Sequence, residues 1–246
     1  MSEVFSDDKR SLAEYGSNTV VTLKNIVTGC QEKFKIDGEK GRGGSCIVYE
    51  AVILREEQEL DRKVLLKEFY PFRSCCSLKR ENGTLALKLQ SPAELDKFER
   101  EKRSFLEVCK KQLKFYNDCA KDIADELVEI QEIYNFGDTT LVMMPAASGR
   151  SWDMVEDENL YQVLETALSL VRQLKLYHDN NLLHCDIKPE NIYIFPRTRQ
   201  QVILLDFGSV VSLEDGALTG GESLSYSAGF AAPEVLKAVK ADNYSQ

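Results

Sequence analysis

The sequence predicts an α+β fold in which antiparallel strands and one long helix come first and a second helix follows. Short runs in the first half alternate apolar and polar residues, as half-buried strands do. A helix is predicted from Ser91-Pro92, where a serine cap and a proline are completed by Glu94 in a capping box. Farther along, apolar residues recur at helical spacing and predict a core-facing stripe: Leu160, Val163, Leu164, Ala167, Val171 and Leu174.

The composition is that of a globular protein with a net negative charge. Its 246 residues are 43% hydrophobic and 29% charged, enough for a substantial core. A net charge of −9 without a basic block makes nucleic acid and anionic membranes poor partners. Met1 to Arg10 carries no signal peptide, and no apolar run reaches membrane-spanning length. Seven scattered cysteines without metal-type spacing predict reduced thiols and a cytoplasmic location.

The first elements surround a run of glycines. Residues 1–31 are predicted to be a mobile leader, Met1 to Ser17, followed by an extra strand, Thr19 to Val27. Alternation before the glycines and a strand from Cys46 to Ala51 after them place Gly41 to Gly44 at a hairpin tip. Glycine backbone can approach phosphates closely there. A plain turn is the alternative.

A lysine and a helical carboxylate form the next candidate pair. Lys67 ends the apolar run of a strand from Lys63 to Phe69. Glu101 shares a helix face with Phe98 and Phe105, whereas the neighbours of Glu107 are polar or charged. Since a carboxylate turned inward needs a cationic partner, we expect Glu101 to pair with Lys67. Glu107 is the alternative if the register slips.

Further strands are predicted around this helix. An Asn82-Gly83 dipeptide with alternating leucines after it predicts a hairpin. Two more strands are expected from Val128 to Tyr134 and from Thr139 to Met144. These strands would complete the sheet of the first part.

Two motifs in the second half carry the chemistry. His184, Asp186 and Asn191 fall on the pattern H-R-D-x-x-x-x-N, with cysteine in place of the arginine, and Asp206-Phe207-Gly208 follows. Together with the glycine run and Lys67, they resemble the catalytic motifs of eukaryotic-like serine/threonine protein kinases. The residues from Lys67 to Pro71, with an insertion after them, resemble a bacterial group of that family.

The resemblance implies a bilobal protein-kinase-like fold. Residues 32–144 would be an antiparallel β small lobe with one long helix, and 145–246 a mainly α, incomplete large lobe. ATP and Mg²⁺ would bind in the cleft. The nucleotide would contact the glycine loop and the hinge, at Gly41, Arg42, Gly43, Gly44, Ser45, Cys46, Val48, Met143, Met144 and Ala146.

By the same resemblance, each polar residue has one role. Asp186 would accept the proton of the incoming hydroxyl, and Lys188 would neutralise charge on the transferring phosphate. Asn191 and Asp206 would hold magnesium. Lys67 would contact the α- and β-phosphates. A lysine at the position of Lys188 is similar to serine/threonine-specific kinases and implies protein substrates.

Two departures from the family pattern matter. Cys185 replaces the arginine that pairs with a phosphate on the activation segment, so phosphorylation there is not expected to be an obligatory switch. The chain also stops at Gln246, twelve residues beyond Glu234 of the A-P-E signature. The truncated large lobe should expose apolar surface around Leu164 and Leu168, open to a partner or to a missing C-terminal segment.

Three functions are therefore open. The first is an ATP-dependent serine/threonine protein kinase with Asp186 as its base. The second is a pseudokinase or truncated lobe that binds nucleotide and docks to a partner. The third is a small-molecule phosphotransferase such as an antibiotic kinase, against which Lys188 and Ala232-Pro233-Glu234 argue.

Overall fold

The structure is a computed structural model, and it describes residues 18–55, 58–71, 78–81, 84–87, 91–119, 132–146, 149–155, 159–195, 201–214, 217–218, 226–227, 229–233 and 236. The chain forms two compact units, Met1–Ala146 and Ala147–Gln246. The division falls two residues beyond the boundary expected after Met144. The strands and the two long helices are β1 (Thr19–Asn25), β2 (Gln31–Arg42), β3 (Cys46–Arg55), β4 (Gln58–Phe69), β5 (Leu78–Glu81), β6 (Thr84–Leu87), α1 (Pro92–Cys119), β7 (Glu132–Phe136), β8 (Thr139–Pro145), β9 (Arg150–Ser151), α2 (Leu160–Asp179), β10 (Leu182–Leu183), β11 (Ile192–Phe195), β12 (Gln201–Leu204), β13 (Val211–Glu214) and β14 (Ala217–Leu218).

The first unit contains a closed antiparallel barrel in the order β1-β2-β3-β4-β8-β7. Alternate residues of each strand point inward, so the barrel interior is filled by the apolar half of each alternating run. Its fully buried members include Leu23, Phe34, Ile36, Val64 and Leu66. The paired strands β5 and β6 confirm the predicted hairpin.

The predicted extra strand is present as β1, and it closes the barrel by pairing with both β2 and β7. It ends two residues earlier than expected, because the Asn25 side chain accepts hydrogen bonds from the backbone N–H groups of Val27 and Thr28. Such a local turn competes with the strand ladder. Asn25 Nδ2 also donates to Glu132 at 2.7 Å, which links the end of β1 to β7.

The helix α1 begins as the sequence predicted. Pro92 is its first residue, and the Ser91 hydroxyl accepts a hydrogen bond from the backbone of Glu94 at 3.4 Å. Phe98 and Phe105 pack against Phe69 of β4, with ring centroids 5.6 and 5.1 Å apart. These aromatic contacts attach the helix to the barrel.

The second unit is built around α2 and short strands. Asn159 and Gln162 form a reciprocal capping box at the start of α2. Sheets in the orders β10-β13-β14 and β12-β11-β9 follow. Gly149 lies under Tyr193, whose hydroxyl donates to the Gly149 carbonyl at 2.7 Å. A Cβ at this glycine would lie 2.5 Å from the Tyr193 ring, so a side chain does not fit.

The predicted core-facing stripe of α2 is wrong for Leu160, Leu164 and Val171, which are exposed, whereas the other three stripe residues are partly buried. The fully packed positions of the helix are Thr166, Gln173 and Tyr177 instead. The expected exposure around Leu164 and Leu168 is confirmed, since these side chains are 59% and 52% exposed.

Candidate active site

The candidate catalytic loop runs from His184 to Asn191, between β10 and β11 of the second unit. Asp186 and Asn191 are both buried, and the Asn191 amide nitrogen donates to the Asp186 carbonyl at 2.8 Å and to Asp186 Oδ2 at 3.1 Å. A 3₁₀ turn over Pro189–Asn191 brings the two ends of the loop together. The sequence-predicted pair is therefore in direct contact.

Lys188 lies beside the same carboxylate. Its Nζ is 3.0 Å from Asp186 Oδ2 and donates to the Ser227 hydroxyl at 2.7 Å. The ammonium is thus held between a nearly buried carboxylate and a fixed hydroxyl.

The two oxygens of the Asp186 carboxylate differ in their surroundings. Burial raises the pKa of Asp186, but hydrogen bonds from Lys188, Ser227 and Asn191 and the charge of Lys188 outweigh it, so the pKa is lowered. The carboxylate is therefore ionised at neutral pH. Oδ2 is occupied by Lys188 and Asn191, whereas Oδ1 is buried and has no hydrogen-bond partner in the described structure.

The backbone before Asp186 is unusual. Cys185 has a φ of +62°, and the Asp186 N–H donates to the His184 carbonyl at 2.9 Å across it. A three-residue turn with positive φ at its centre is rare and strained. Strain of this kind concentrates at functional sites, where the surroundings hold it.

Asp206 follows β12 and is tied to the catalytic loop through its neighbour Leu205. The Leu205 N–H donates to the Asn191 carbonyl at 2.8 Å, and His184 Nε2 donates to the Leu205 carbonyl at 2.9 Å. The two ends of the loop therefore hold both the backbone N–H and the backbone carbonyl of Leu205. Asp206 itself is exposed and has left-handed backbone angles, with φ 63° and ψ 60°.

His184 serves this framework as a neutral ring. Burial lowers its pKa, and the opposing effects of the Leu205 hydrogen bond and of the Asp206 and Asp186 charges are smaller. Because a carbonyl can only accept, Nε2 carries the proton in this tautomer. At 2% exposure, the ring belongs to the buried framework of the loop.

The side chains predicted to hold a metal fit magnesium by their chemistry. Asn191 and Asp206 supply amide and carboxylate oxygens, the hard ligands that Mg²⁺ prefers, and Mg²⁺ takes its remaining ligands from water and phosphates. Among the described residues, no group of three or more histidine, cysteine, aspartate or glutamate side chains could form a metal site.

The glycine run of the first unit lies at the tip of the β2–β3 hairpin, as predicted. Gly41 pairs with Val48, and the Gly43 N–H donates to the Cys46 carbonyl at 2.9 Å. A Cβ added at Gly41, Gly43 or Gly44 would meet no atom within 4 Å, and none of the three has a positive φ. Packing in the described part of the chain therefore does not explain these glycines.

The remaining loop residues differ in exposure. The Cys46 side chain is 6% exposed within the barrel core, so the thiol does not lie at the exposed tip. Gly43, Gly44 and Ser45 are exposed, while Arg42 pairs with Glu39 at 2.7 Å. At this loop, only backbone groups and the small Ser45 side chain are openly presented.

Lys67 lies in the centre of the barrel wall. It pairs with Val48 of β3 and Val142 of β8, and its side chain is partly buried. Glu101 is also partly buried, whereas Glu107 is exposed, which favours Glu101 as the helical carboxylate. The pairing of Lys67 with Glu101 stays a prediction.

The predicted hinge residues lie on β8 and directly after it. Met143 is 5% exposed in the barrel core and pairs with Leu66. Met144 and Ala146 are partly buried. Their contact with adenine stays a prediction.

Sequence reasoning did not identify Ser209 as part of this framework. This buried serine follows Gly208, and its hydroxyl lies 2.7 Å from the His184 carbonyl and 2.9 Å from the Asp206 carbonyl. The only sequence signal near Ser209 was that a residue with a hydroxyl directly follows the Asp206-Phe207-Gly208 motif. Nothing in the sequence indicated which backbone groups it would contact.

Comparison with known proteins matches the chain to a protein family. The model of the protein kinase domain matches residues 75–246. A probable serine/threonine-protein kinase of Clostridium acetobutylicum is 22% identical over 222 residues, which are 88% of this chain and 28% of that protein. The serine/threonine-protein kinase pkn2 of Myxococcus xanthus is 33% identical over 108 residues, 38% of this chain and 13% of its own.

A eukaryotic relative shows a similar level of likeness. The serine/threonine-protein kinase ppk5 of Schizosaccharomyces pombe is 26% identical over 125 residues, 48% of this chain and 14% of that protein. The chain thus spans well under a third of the length of these relatives. Separately, no helix in the described ranges has the length and apolar character needed to cross a membrane.

Proposed function

The chain belongs to the protein kinase family, and on that premise we propose that it is an ATP-dependent kinase that phosphorylates serine or threonine of proteins with Asp186 as base. The observation that carries the proposal is the Asp186 carboxylate. It is ionised, one oxygen is held by Lys188 and Asn191, and the other is buried and has no hydrogen-bond partner among the described residues. A buried oxygen without a partner in the chain itself is rare and calls for a ligand.

The role of Asp186 follows from that asymmetry. Its free Oδ1 can accept the proton of a substrate hydroxyl, because its position is fixed by the bonds to Oδ2. Its lowered pKa keeps the carboxylate ready to accept at neutral pH. The lowered pKa also makes it a weak base, so its main contribution is to orient the hydroxyl.

Lys188 supplies positive charge at the same place. Its ammonium, fixed by Asp186 and Ser227, can stabilise negative charge on the group being transferred. Asn191 and Asp206 would hold Mg²⁺, which when bound neutralises phosphate charge. In this proposal the chain itself orients the hydroxyl and fixes the positive charge, which is most of what phosphoryl transfer requires.

We assign binding of the nucleotide to residues of the first unit. The glycines of the β2–β3 tip leave open space that no packing in the described chain accounts for, and backbone N–H groups there suit phosphate. Lys67, paired with Glu101, would contact the α- and β-phosphates. Met143, Met144 and Ala146 would contact the adenine, as the family resemblance implies.

Substrate class and location are proposed from more general features. The names of the relatives, serine/threonine-protein kinases, support protein hydroxyls as acceptors. The exposed Cys30 is a free thiol, which supports a reducing, cytoplasmic location. With Cys185 in place of the usual arginine, activity should not depend on phosphorylation of the activation segment.

The test offers three kinds of acceptor with Mg-ATP: serine- and threonine-containing peptides, a tyrosine-containing peptide of matched sequence, and an aminoglycoside. We expect phosphate on the serine and threonine peptides. Transfer to the aminoglycoside alone would replace the proposal with a small-molecule phosphotransferase. Transfer to tyrosine alone would contradict the assigned acceptor class.

A second candidate function is a docking module without transfer activity. The exposed apolar flank of α2 favours it, because Leu160, Leu164, Leu168 and Val171 are each more than half exposed. A partner or a further segment of the same protein would cover this flank. This function is tested by analytical sedimentation of the chain and of a double variant, Leu164→Glu with Leu168→Glu. Self-association of the parent chain that the variant abolishes would show that the flank is an interaction surface. Monomers in both proteins would count against a docking function.

A further inference from the structure

The backbone of Asp206 is held in a conformation that a residue with a side chain rarely adopts. Its φ of 63° and ψ of 60° are left-handed. Such a conformation persists only where the surroundings enforce it. The Asp206 side chain does not cap the 3₁₀ turn of Phe207–Ser209, so the carboxylate is not used by its own turn.

The side of Asp206 toward the N-terminus is fixed by one backbone group and one side chain of the catalytic loop. Leu205 donates to the Asn191 carbonyl and accepts from the His184 ring, at 2.8 and 2.9 Å. These bonds need only the backbone N–H and carbonyl of residue 205. They leave the other side of Asp206 to be fixed separately.

Ser209 fixes that other side. Its hydroxyl is 2.7 Å from the His184 carbonyl and 2.9 Å from the Asp206 carbonyl, and its backbone N–H donates to the Asp206 carbonyl at 3.1 Å. The side chain is 1% exposed. The hydroxyl therefore contacts both chain segments directly.

One hydroxyl proton serves several acceptors at this point. The carbonyls of His184 and Asp206 can only accept, and His184 Nδ1, 3.4 Å away, is also an acceptor in the neutral ring. Replacement of the hydroxyl by a hydrogen atom would therefore remove the donor that the two segments share. Because the site is buried, water cannot easily take its place.

We propose that Ser209 is a positioning residue for Asp206, whose hydroxyl fixes the Asp206 turn to the His184 end of the catalytic loop. This inference rests on the proposed function in one respect, since Asp206 is assigned there to magnesium. The contact itself does not depend on that assignment. Ser209 touches no reacting atom and acts through the orientation of the Asp206 carboxylate.

The first arm of the test measures the contact without any ligand. Hydrogen exchange of the amides of residues 205–210 is compared in the full chain, in Ser209→Ala and in Ser209→Thr, which keeps the hydroxyl. Ser169→Ala is the matched control, because its hydroxyl accepts a hydrogen bond from the Val202 N–H at 3.0 Å in the same unit but outside the Asp206 turn. We expect faster exchange at 205–210 in Ser209→Ala only.

The second arm measures metal binding with Mn²⁺ and a non-hydrolysable ATP analogue, by the spectroscopic signal of free Mn²⁺. We expect Ser209→Ala to bind Mn²⁺ about 3- to 10-fold more weakly, the range for one lost hydrogen bond. Ser209→Thr should restore most of the affinity, and Ser169→Ala should match the parent chain. A purely structural loss would lower the stability of Ser209→Ala and Ser169→Ala alike without this difference in affinity.

The two arms separate the two claims. Unchanged exchange at 205–210 in Ser209→Ala would overturn the contact, and faster exchange with unchanged Mn²⁺ affinity would overturn the positioning role. A parent chain that binds no Mn²⁺ with the nucleotide would contradict the proposed function and the positioning role together. In that case the exchange arm would still decide whether the hydroxyl joins the two segments.

Discussion

Removal of the Lys188 ammonium tests the electrostatics of the candidate site. In Lys188→Met, Asp186 Oδ2 loses the partner at 3.0 Å and keeps the Asn191 amide at 3.1 Å, while Oδ1 stays buried with no partner in the ranges that the structure describes. A hydrogen bond to a charged group contributes about 1.5–3 kcal/mol to stability. We expect the free energy of unfolding at pH 7 to fall by about that amount, since Asp186 is 5% exposed and Lys188 23%.

The loss should depend on pH in a defined direction. The folded-state pKa of Asp186 lies below its ordinary value of 3.8, so its ionised form stabilises the fold above that pH. This contribution disappears as the pH falls through the lower, folded-state pKa. The difference between parent and Lys188→Met should therefore be largest above about pH 4 and shrink under acid conditions.

The assay is urea unfolding of both chains across this pH range, with Lys175→Met as the matched control. Lys175 pairs with Asp179 one helical turn away on the exposed surface, at 2.8 Å. Such a pair contributes only about 0.3–0.5 kcal/mol. Equal losses in the two variants, or a Lys188→Met loss that does not change with pH, would refute the reasoning.

Three further predictions concern other parts of the structure. Gly149→Ala should lower the free energy of unfolding of the second unit in urea by about 1–3 kcal/mol, because its Cβ would lie 2.6 Å from the Ile194 carbonyl oxygen. Gly229→Ala is the control and should leave this free energy unchanged, because Gly229 has open space around it. Gly43→Ala should leave the unfolding midpoint unchanged and weaken binding of a fluorescent ATP analogue several-fold, and unchanged binding would mean that the loop does not hold nucleotide. Because the folded-state pKa of His184 is lowered, the free energy of unfolding should fall as the pH drops from 7 through that pKa. His184→Gln should reduce this dependence on pH, whereas replacement of the exposed His178 by glutamine should leave it unchanged.

Local sequence signals were sufficient for the catalytic loop. Asp186, Lys188 and Asn191 are close in sequence, so a short motif singled them out as a group, although it did not predict which atoms make contact. The start of α1 was predictable for the same reason, because a serine cap and a proline act within one helical turn.

Long-range contacts were not predictable in this way. Ser209 contacts the His184 carbonyl, 25 residues away, and its role depends on how two segments meet. The sequence predicted β1 as a strand but not that it would close a barrel, because that requires its pairing with β7. On α2, helical spacing identified the apolar stripe, whereas its burial depends on which face packs against the neighbouring strands.

The most direct test of the central claim is the intact mass of the chain after incubation with Mg-ATP, compared with its Asp186→Asn variant. The amide keeps the shape of the carboxylate and removes its charge. We expect phosphate-sized mass increments in the parent chain and a rate lower by about 10²- to 10⁴-fold in the variant, because the group that orients the hydroxyl and accepts its proton is lost. Equal increments in both chains would contradict the role of Asp186, and no increment in the parent would contradict the assigned kinase activity.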